Sequence, residues 1–327
     1  MPLLQVVDLE VVFPLRNGAV SAVKGVEFEL ERGERIGLVG ESGAGKSVSA
    51  FAILNLISKP GYLASGRILF EGQDLAALDA EAMRQVRGNQ ISMIFQDPMM
   101  TLNPVLTIGT QMIETSLAHR RISRRRAREI ALAKLRAVQI PSPEARLEQY
   151  PHELSGGMRQ RVVIAIALLS DPKIIIADEP TTALDVTIQA EILELLVTLC
   201  DDFAVGLILI THDLGVVSEA TQRVLVMYAG RVVERGRTGE VIAAPLHPYT
   251  EGLIGALPEN TRPGKPLNQI PGVMPSLRDI PDGCPFHDRC ARAEVRCTTE
   301  SPPMRALGAN ASRAVACHFP LHRLERE

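Results

Sequence analysis

An α/β fold built around a buried, largely parallel sheet is what the sequence predicts, and three observations carry the prediction. Four short apolar runs, Arg35 to Val39, Ile91 to Phe95, Ile174 to Ala177 and Leu207 to Thr211, each end on polar residues. Runs of this length bounded by polar punctuation fit strands covered on both faces. The first of them leads straight into a glycine-rich segment, GESGAGKS, and then into a helical pattern. The first thirty residues instead alternate apolar and polar, and so does GRILFEG, Gly66 to Gly72, which predicts an added antiparallel β layer.

The remaining elements follow in order. Between Pro98 and about Ile166 the period becomes helical, in IGTQMIETSLAHR and RRRAREIALAKLRAV, which reads as a helical subdomain spanning about 98–166. AEILELLVTLC predicts a further helix before the strand that ends at His212, and RVLVMYAGRVVERG a hairpin turning at Ala229-Gly230. From about Pro245 the texture turns proline-rich and irregular, a linker into a cysteine-bearing tail. The expected division is a domain over 1–240 and a C-terminal extension over 241–327.

Composition narrows the class. With 327 residues, 46% hydrophobic and 22% charged, the chain reads as globular, and its net charge of −3 gives no general pull toward nucleic acid. No apolar run approaches the roughly 20 residues that span a bilayer. The N-terminus lacks the basic and small-residue marks of a secretory signal, so the expected location is the cytosol. Arg120, Arg121, Arg124, Arg125, Arg126 and Arg128 form a basic run without interleaved aromatics, which reads as a solvated helix face.

The chemistry sits at the strand ends, where open α/β sheets bind ligands. In GESGAGKS, Gly40, Glu41, Ser42, Gly43, Ala44, Gly45, Lys46 and Ser47 have the spacing of a phosphate-cradling loop. Lys46 is expected to reach the β- and γ-phosphates and the Ser47 hydroxyl to ligate Mg²⁺. In IIIADEP, Asp178 suits the magnesium shell and Glu179 can polarise an attacking water. Gln96 and His212 end the neighbouring runs and take phosphate-side roles by that placement. A second glycine pair stands in LSGGMRQR, Leu154 to Arg161, where Ser155 is a good N-cap residue before a helix. The backbone N–H groups of such a helix start attract an anion. One chain has no need of two cradles for one triphosphate, so the expected target is ATP held by a second chain.

This ordered set resembles the ATP-binding subunits of ABC transporters over about the first 240 residues. The resemblance implies a P-loop NTPase fold (ABC ATPase) with a parallel-sheet RecA-like core, antiparallel β subdomain, α-helical subdomain and irregular C-terminal extension. It also implies roles. Glu179 would be the general base, with His212 and Gln96 catalytic and Gln96 also beside Mg²⁺. Ser155, Gly156, Gly157, Gln160 and Asp185 would contact ATP in trans. Phe13 would stack on adenine, although the family commonly has tyrosine there and core packing explains Phe13 equally well.

VGESGAGKS, FQDPMMTLNP, LSGGMRQRV and HPYT narrow the resemblance to importers of oligopeptides and dipeptides, with nickel and other small-solute importers as the alternative. A non-transport ABC ATPase is a remote alternative, since the chain has one cassette and no heptads. The implied partners are a second ABC ATPase chain (a paralogue or a copy), two transmembrane permease subunits and an extracytoplasmic solute-binding protein. The implied place is peripheral, on the cytoplasmic face of the cell membrane. Some of these importers hold a 4Fe–4S cluster in their C-terminal extension. Here Cys284, Cys290, Cys297 and Cys317 have five, six and nineteen intervening residues. That spacing leaves an iron–sulfur cluster, Zn²⁺ or plain buried thiols open, and the resemblance favours the cluster.

Overall fold

The fold was taken from a computed structural model, which describes residues 1–16, 18–182, 184–257, 268–307 and 313–321. Ala183, beside Asp185, and the stretch 258–267 of the proline-rich linker lie outside the described residues. The chain divides into two units. Met1–Leu30, Arg35–Ala76 and Leu209–Glu327 form the first, and Glu31–Glu34 with Ala77–Ile208 the second.

The first unit begins with the alternating segments. β1 (Leu4–Leu15) pairs antiparallel with β2 (Gly18–Leu30), from Leu4 opposite Leu30 to Leu15 opposite Gly18. Leu4 and Val6, then Leu9 and Val11, are fully buried, two period-two steps separated by a register shift between Val6 and Leu9. β3 (Arg35–Val39) leads through the glycine loop into α1 (Lys46–Ile53). β4 (Tyr62–Phe70) and β5 (Gln73–Asp74) complete a four-stranded sheet ordered β2-β1-β4-β5.

In the second unit α2 (Ala80–Val86) precedes β6 (Ile91–Ile94). The predicted helical stretch holds α3 (Pro98–Thr101), α4 (Ile108–His119), α5 (Arg124–Ala137), α6 (Pro143–Leu147) and α7 (Gly156–Ala167). α4, α5 and α7 pack on one another, and Ile108, Met112, Ala131, Leu135 and Val163 on these helices are buried. β7 (Ile174–Asp178) pairs parallel with β6 and is buried along its whole length. α8 (Val186–Asp202) then leads to β8 (Gly206–Thr211), within which the boundary between the units falls. The arginine run behaves as expected. Arg126 pairs with Glu129 at 2.9 Å, Arg128 with Glu148 and Arg120 with Asp171, both at 2.8 Å, and such exposed pairs contribute little.

Back in the first unit, α9 (Leu214–Ala220) packs over β3 at Gly37, where a Cβ would lie 2.6 Å from Val217. β9 (Arg223–Tyr228) runs parallel to β3 and turns into β10 (Arg231–Arg237). Ala229 (φ 45°) and Gly230 (φ 80°) make that turn, the paired positive φ of a two-residue hairpin. α10 (Thr238–Ala243) and α11 (Pro248–Gly255) follow.

The second of these departs from the irregular texture read after Pro245. His247 caps α11 by accepting the Tyr249 N–H at Nδ1 (3.0 Å), and Pro248 takes the first helical position, where proline is favoured. The buried Glu234 carboxylate accepts the Leu246 N–H (3.0 Å) and the His247 N–H (2.9 Å), which anchors the helix start. α12 (Val295–Thr299), β11 (Arg305–Leu307) and β12 (Arg313–Val315) complete the unit, whose second sheet is ordered β11-β12-β10-β9-β3. Val39, Val226, Tyr228, Tyr249, Cys284 and Phe286 belong to one core cluster, so the cysteine tail packs into the same core as the strands.

Candidate nucleotide site

The glycine loop is built for close backbone approach. A Cβ at Gly40 would lie 2.2 Å from the Met227 carbonyl oxygen, and one at Gly45 (φ 100°) 2.9 Å from that of Ala22. Gly45 is also the N-cap of α1, whose first turn no side chain caps. A helix start of this kind presents partial positive charge to an anion. Lys46 is buried and folds back over the loop, its Nζ donating to the Gly40 carbonyl (2.7 Å) and the Glu41 carbonyl (3.0 Å). Ser42 and Gly43 are exposed, Ser47 is partly buried, and Ala44 is buried beneath the loop. Phe13, half-buried on β1, lays its ring against Gly61, where a Cβ would lie 2.5 Å from it. His212 is exposed at the end of β8, and the next residue, Asp213, caps α9 by accepting the Gly215 N–H at 2.7 Å.

In the second unit the residues at the ends of β6 and β7 meet. Gln96 Nε2 donates to Glu179 Oε2 at 3.0 Å, and the Thr182 hydroxyl donates to the same oxygen at 2.9 Å. Asp178 is buried at the last position of β7, and Glu179 directly after it has a positive φ of 47°. Strained conformations of non-glycine residues cluster at functional sites.

LSGGMRQR opens α7 with Ser155 as N-cap, its Oγ accepting the Met158 N–H at 3.3 Å. Ser155 and Gly156 are exposed, whereas Gln160 is 1% exposed. A Cβ at Gly157 would lie 2.9 Å from the Ile188 side chain, so the glycine is what lets α7 approach the start of α8. Asp185 caps α8 by accepting the Ile188 N–H at 3.0 Å. The structure therefore joins Gln96 to Glu179 and sets LSGGMRQR against the Asp185 segment.

The tail brings its four cysteines together. Cys284, Cys290, Cys297 and Cys317 do line one small cavity of about 10 Å³. Among the described residues, however, no three His, Cys, Asp or Glu side chains converge as a metal would require. Burial pushes the Cys284 and Cys317 thiols up to about 11. The expected 4Fe–4S cluster, and Zn²⁺ with it, finds no support in this arrangement.

Sequence reasoning missed three residues beside the loop. Tyr249 receives the Glu41 N–H at its hydroxyl (2.8 Å), Arg289 pairs with the Glu41 carboxylate, and Tyr228 stacks edge-on against Tyr249 with centroids 4.7 Å apart. HPYT and the cysteine spacing marked two of these segments without showing what they touch.

A strand, a glycine loop with buried lysine and an uncapped helix define a P-loop nucleotide-binding protein. Comparison with known proteins carries this further. The ABC transporter profile matches residues 23–182, and that of the oligopeptide/dipeptide transporter C-terminal region matches 233–297. A putative peptide import ATP-binding protein of Brucella melitensis is 49% identical over 318 residues, 94% of each chain. A probable peptide ABC transporter ATP-binding protein of Sinorhizobium fredii is 49% identical over 317 residues, 96% of this chain and 94% of that one. Among solved structures, the dimeric ATP-binding cassette MJ0796 in a post-hydrolysis state bound to ADP and Pi is similar, with a TM-score of 0.64 and 26% identity over 72% of this chain and 98% of that one. So is cbiO1 of Clostridium perfringens, part of an ABC transporter complex, with a TM-score of 0.64 and 29% identity over 74% and 91%. The chain belongs to the ATP-binding proteins of ABC transporters and is an ABC-type ATPase.

Proposed function

We propose that this ATPase drives import of dipeptides or oligopeptides through partner membrane subunits. The observation that carries the reading is the C-terminal region: residues 233–297 match the oligopeptide/dipeptide transporter profile, and relatives alike over nearly the whole chain are named for peptide import. The working division is an ATPase domain over 1–240, its helical subdomain over about 98–166, and an importer-type extension over 241–327.

The proposed chemistry is phosphoryl transfer to water. Gly40 to Ser47 cradle the ATP phosphates, Lys46 exchanges its loop carbonyls for phosphate oxygens, and Phe13 lies on the base side. The Ser47 hydroxyl, the Gln96 carbonyl and the Asp178 carboxylate are hard oxygen donors that suit Mg²⁺. When bound, the ion neutralises charge developing on the phosphates. Glu179 accepts the proton of the attacking water, Gln96 and Thr182 hold its carboxylate in place, and His212 contacts the γ-phosphate. Hydrogen-bond donors on that carboxylate support the role, because they orient it.

Closure requires a second ATPase chain. Ser155, Gly156 and Gly157 at the start of α7, with Gln160 a turn behind and Asp185 beside them, meet ATP held by that chain. Permease subunits and an extracytoplasmic binding protein complete the assembly, which places this chain peripherally on the cytoplasmic face of the membrane. No described helix is long and apolar enough to cross a membrane. Copurification of the assembled complex, with mass spectrometry of the retained solute, tests the reading. Peptide is the expected solute, and a metal complex in its place would overturn peptide import.

A further inference from the structure

The turn between Cys284 and Cys290 carries a side chain whose target lies in the glycine loop. Arg289 donates from Nη1 to Glu41 Oε2 at 2.6 Å and from Nη2 to Glu41 Oε1 at 2.9 Å. This two-point fork falls on the second residue of GESGAGKS. The guanidinium is itself pinned. Its Nε donates to the Pro271 carbonyl at 2.8 Å, and Nη1 reaches the Tyr228 hydroxyl at 3.3 Å. The side chain is only 5% exposed, with the rings of Tyr228 and Phe286 each 5.8 Å away.

Glu41 is held at two further points. Its N–H donates to the Tyr249 hydroxyl (2.8 Å) and its carbonyl accepts from Lys46 Nζ (3.0 Å). Carboxylate, N–H and carbonyl of one loop residue are thus all engaged, two of them by residues of the C-terminal region. A planar fork against a carboxylate fixes orientation as well as distance.

We propose that Arg289 is a positioning residue of the nucleotide loop. By holding Glu41 it sets the path of Gly40–Glu41–Ser42 and the starting place of Lys46, and so ties ATP affinity to the fold of the cysteine turn. A route follows for the tail to reach the nucleotide: Arg289 stands next to Cys290, and the backbone N–H of Arg289 is bonded to the Phe286 carbonyl inside the same turn (3.1 Å). A rearrangement of the thiols that moves this turn then reaches the loop through that guanidinium.

The inference rests on Gly40 to Ser47 being the ATP loop, and the test separates the two. ATP affinity of the full chain is measured by calorimetry for the parent, Arg289→Lys, Glu41→Gln, the double variant and Lys46→Ala, with melting temperatures alongside. Arg289→Lys keeps charge and approximate length, so it preserves the fold better than a truncation does. The expected result is about a tenfold loss of affinity in Arg289→Lys, a comparable loss in Glu41→Gln, and a double variant no worse than either. In steady state the KM for ATP rises more than kcat falls. A lowered melting temperature with parental ATP affinity in Arg289→Lys, or additive losses in the double variant, overturns the proposal. If Lys46→Ala also binds ATP like the parent, the loop assignment itself falls.

Discussion

Gln96 donates a 3.0 Å hydrogen bond to the carboxylate of Glu179, joining residues 83 positions apart at the ends of two paired parallel strands. The parallel register of β6 and β7, Ile91 opposite Ile174 through Ile94 opposite Ala177, brings the two strand ends level. Gln96 therefore supplies a neutral donor that orients the carboxylate proposed to activate water.

Replacing that donor by a second acid reverses its effect. In Gln96→Glu two carboxylates would sit about 3 Å apart, and such a pair cannot stay fully ionised near neutrality. ATPase turnover at pH 7 is expected to fall, and the rising limb of kcat against pH to move up by about one unit or more. Parental turnover with an unchanged pH profile would remove Gln96 from any role beside Glu179.

Ser155 has a local and a remote consequence. Ser155→Ala removes the bond to the Met158 N–H and should cost about 1 kcal/mol of stability. Its larger effect is expected on turnover of the assembled transporter, with ATP affinity of the isolated chain unchanged, because the serine acts on nucleotide held by the other chain. Loss of affinity in the isolated chain would place its action in cis.

His247 gives a stability signature. Burial pushes its pKa down to about 3 from 6.5, so between those values the unfolded state binds a proton that the folded state refuses. Its contribution is present above pH 6.5 and is lost as pH falls toward 3, with a slope of up to about 1.4 kcal/mol per pH unit. Glu234, raised by burial, has the opposite sign and loses stabilisation as pH rises. Denaturant titrations of His247→Asn, which keeps a capping acceptor, should therefore show a shallower loss across that acid window than the parent. Parallel curves would mean that His247 does not carry it.

The sheet was legible because burial on both faces leaves uninterrupted apolar runs, and the strand-end positions of Gln96, Asp178, Glu179 and His212 follow from where those runs stop. α11 was not legible. Its start depends on a histidine cap and on Glu234, which lies 13 residues before His247, while the local composition is rich in turn formers. The pairing of Arg289 with Glu41 spans 248 positions, and no periodic pattern encodes a contact of that kind. Cysteine clustering foretold that the thiols gather around one cavity. Whether they converge as ligands depends on backbone turns such as Cys284 to Cys290, which spacing alone does not define.

The central claim is that this chain hydrolyses ATP with Glu179 as the base. It is tested most directly by phosphate release from the copurified transporter carrying Glu179→Gln at saturating ATP, with bound nucleotide measured in parallel. The account predicts that ATP stays bound and that turnover falls by about 10²–10⁴-fold. Turnover near that of the parent, with ATP bound equally well, would contradict it.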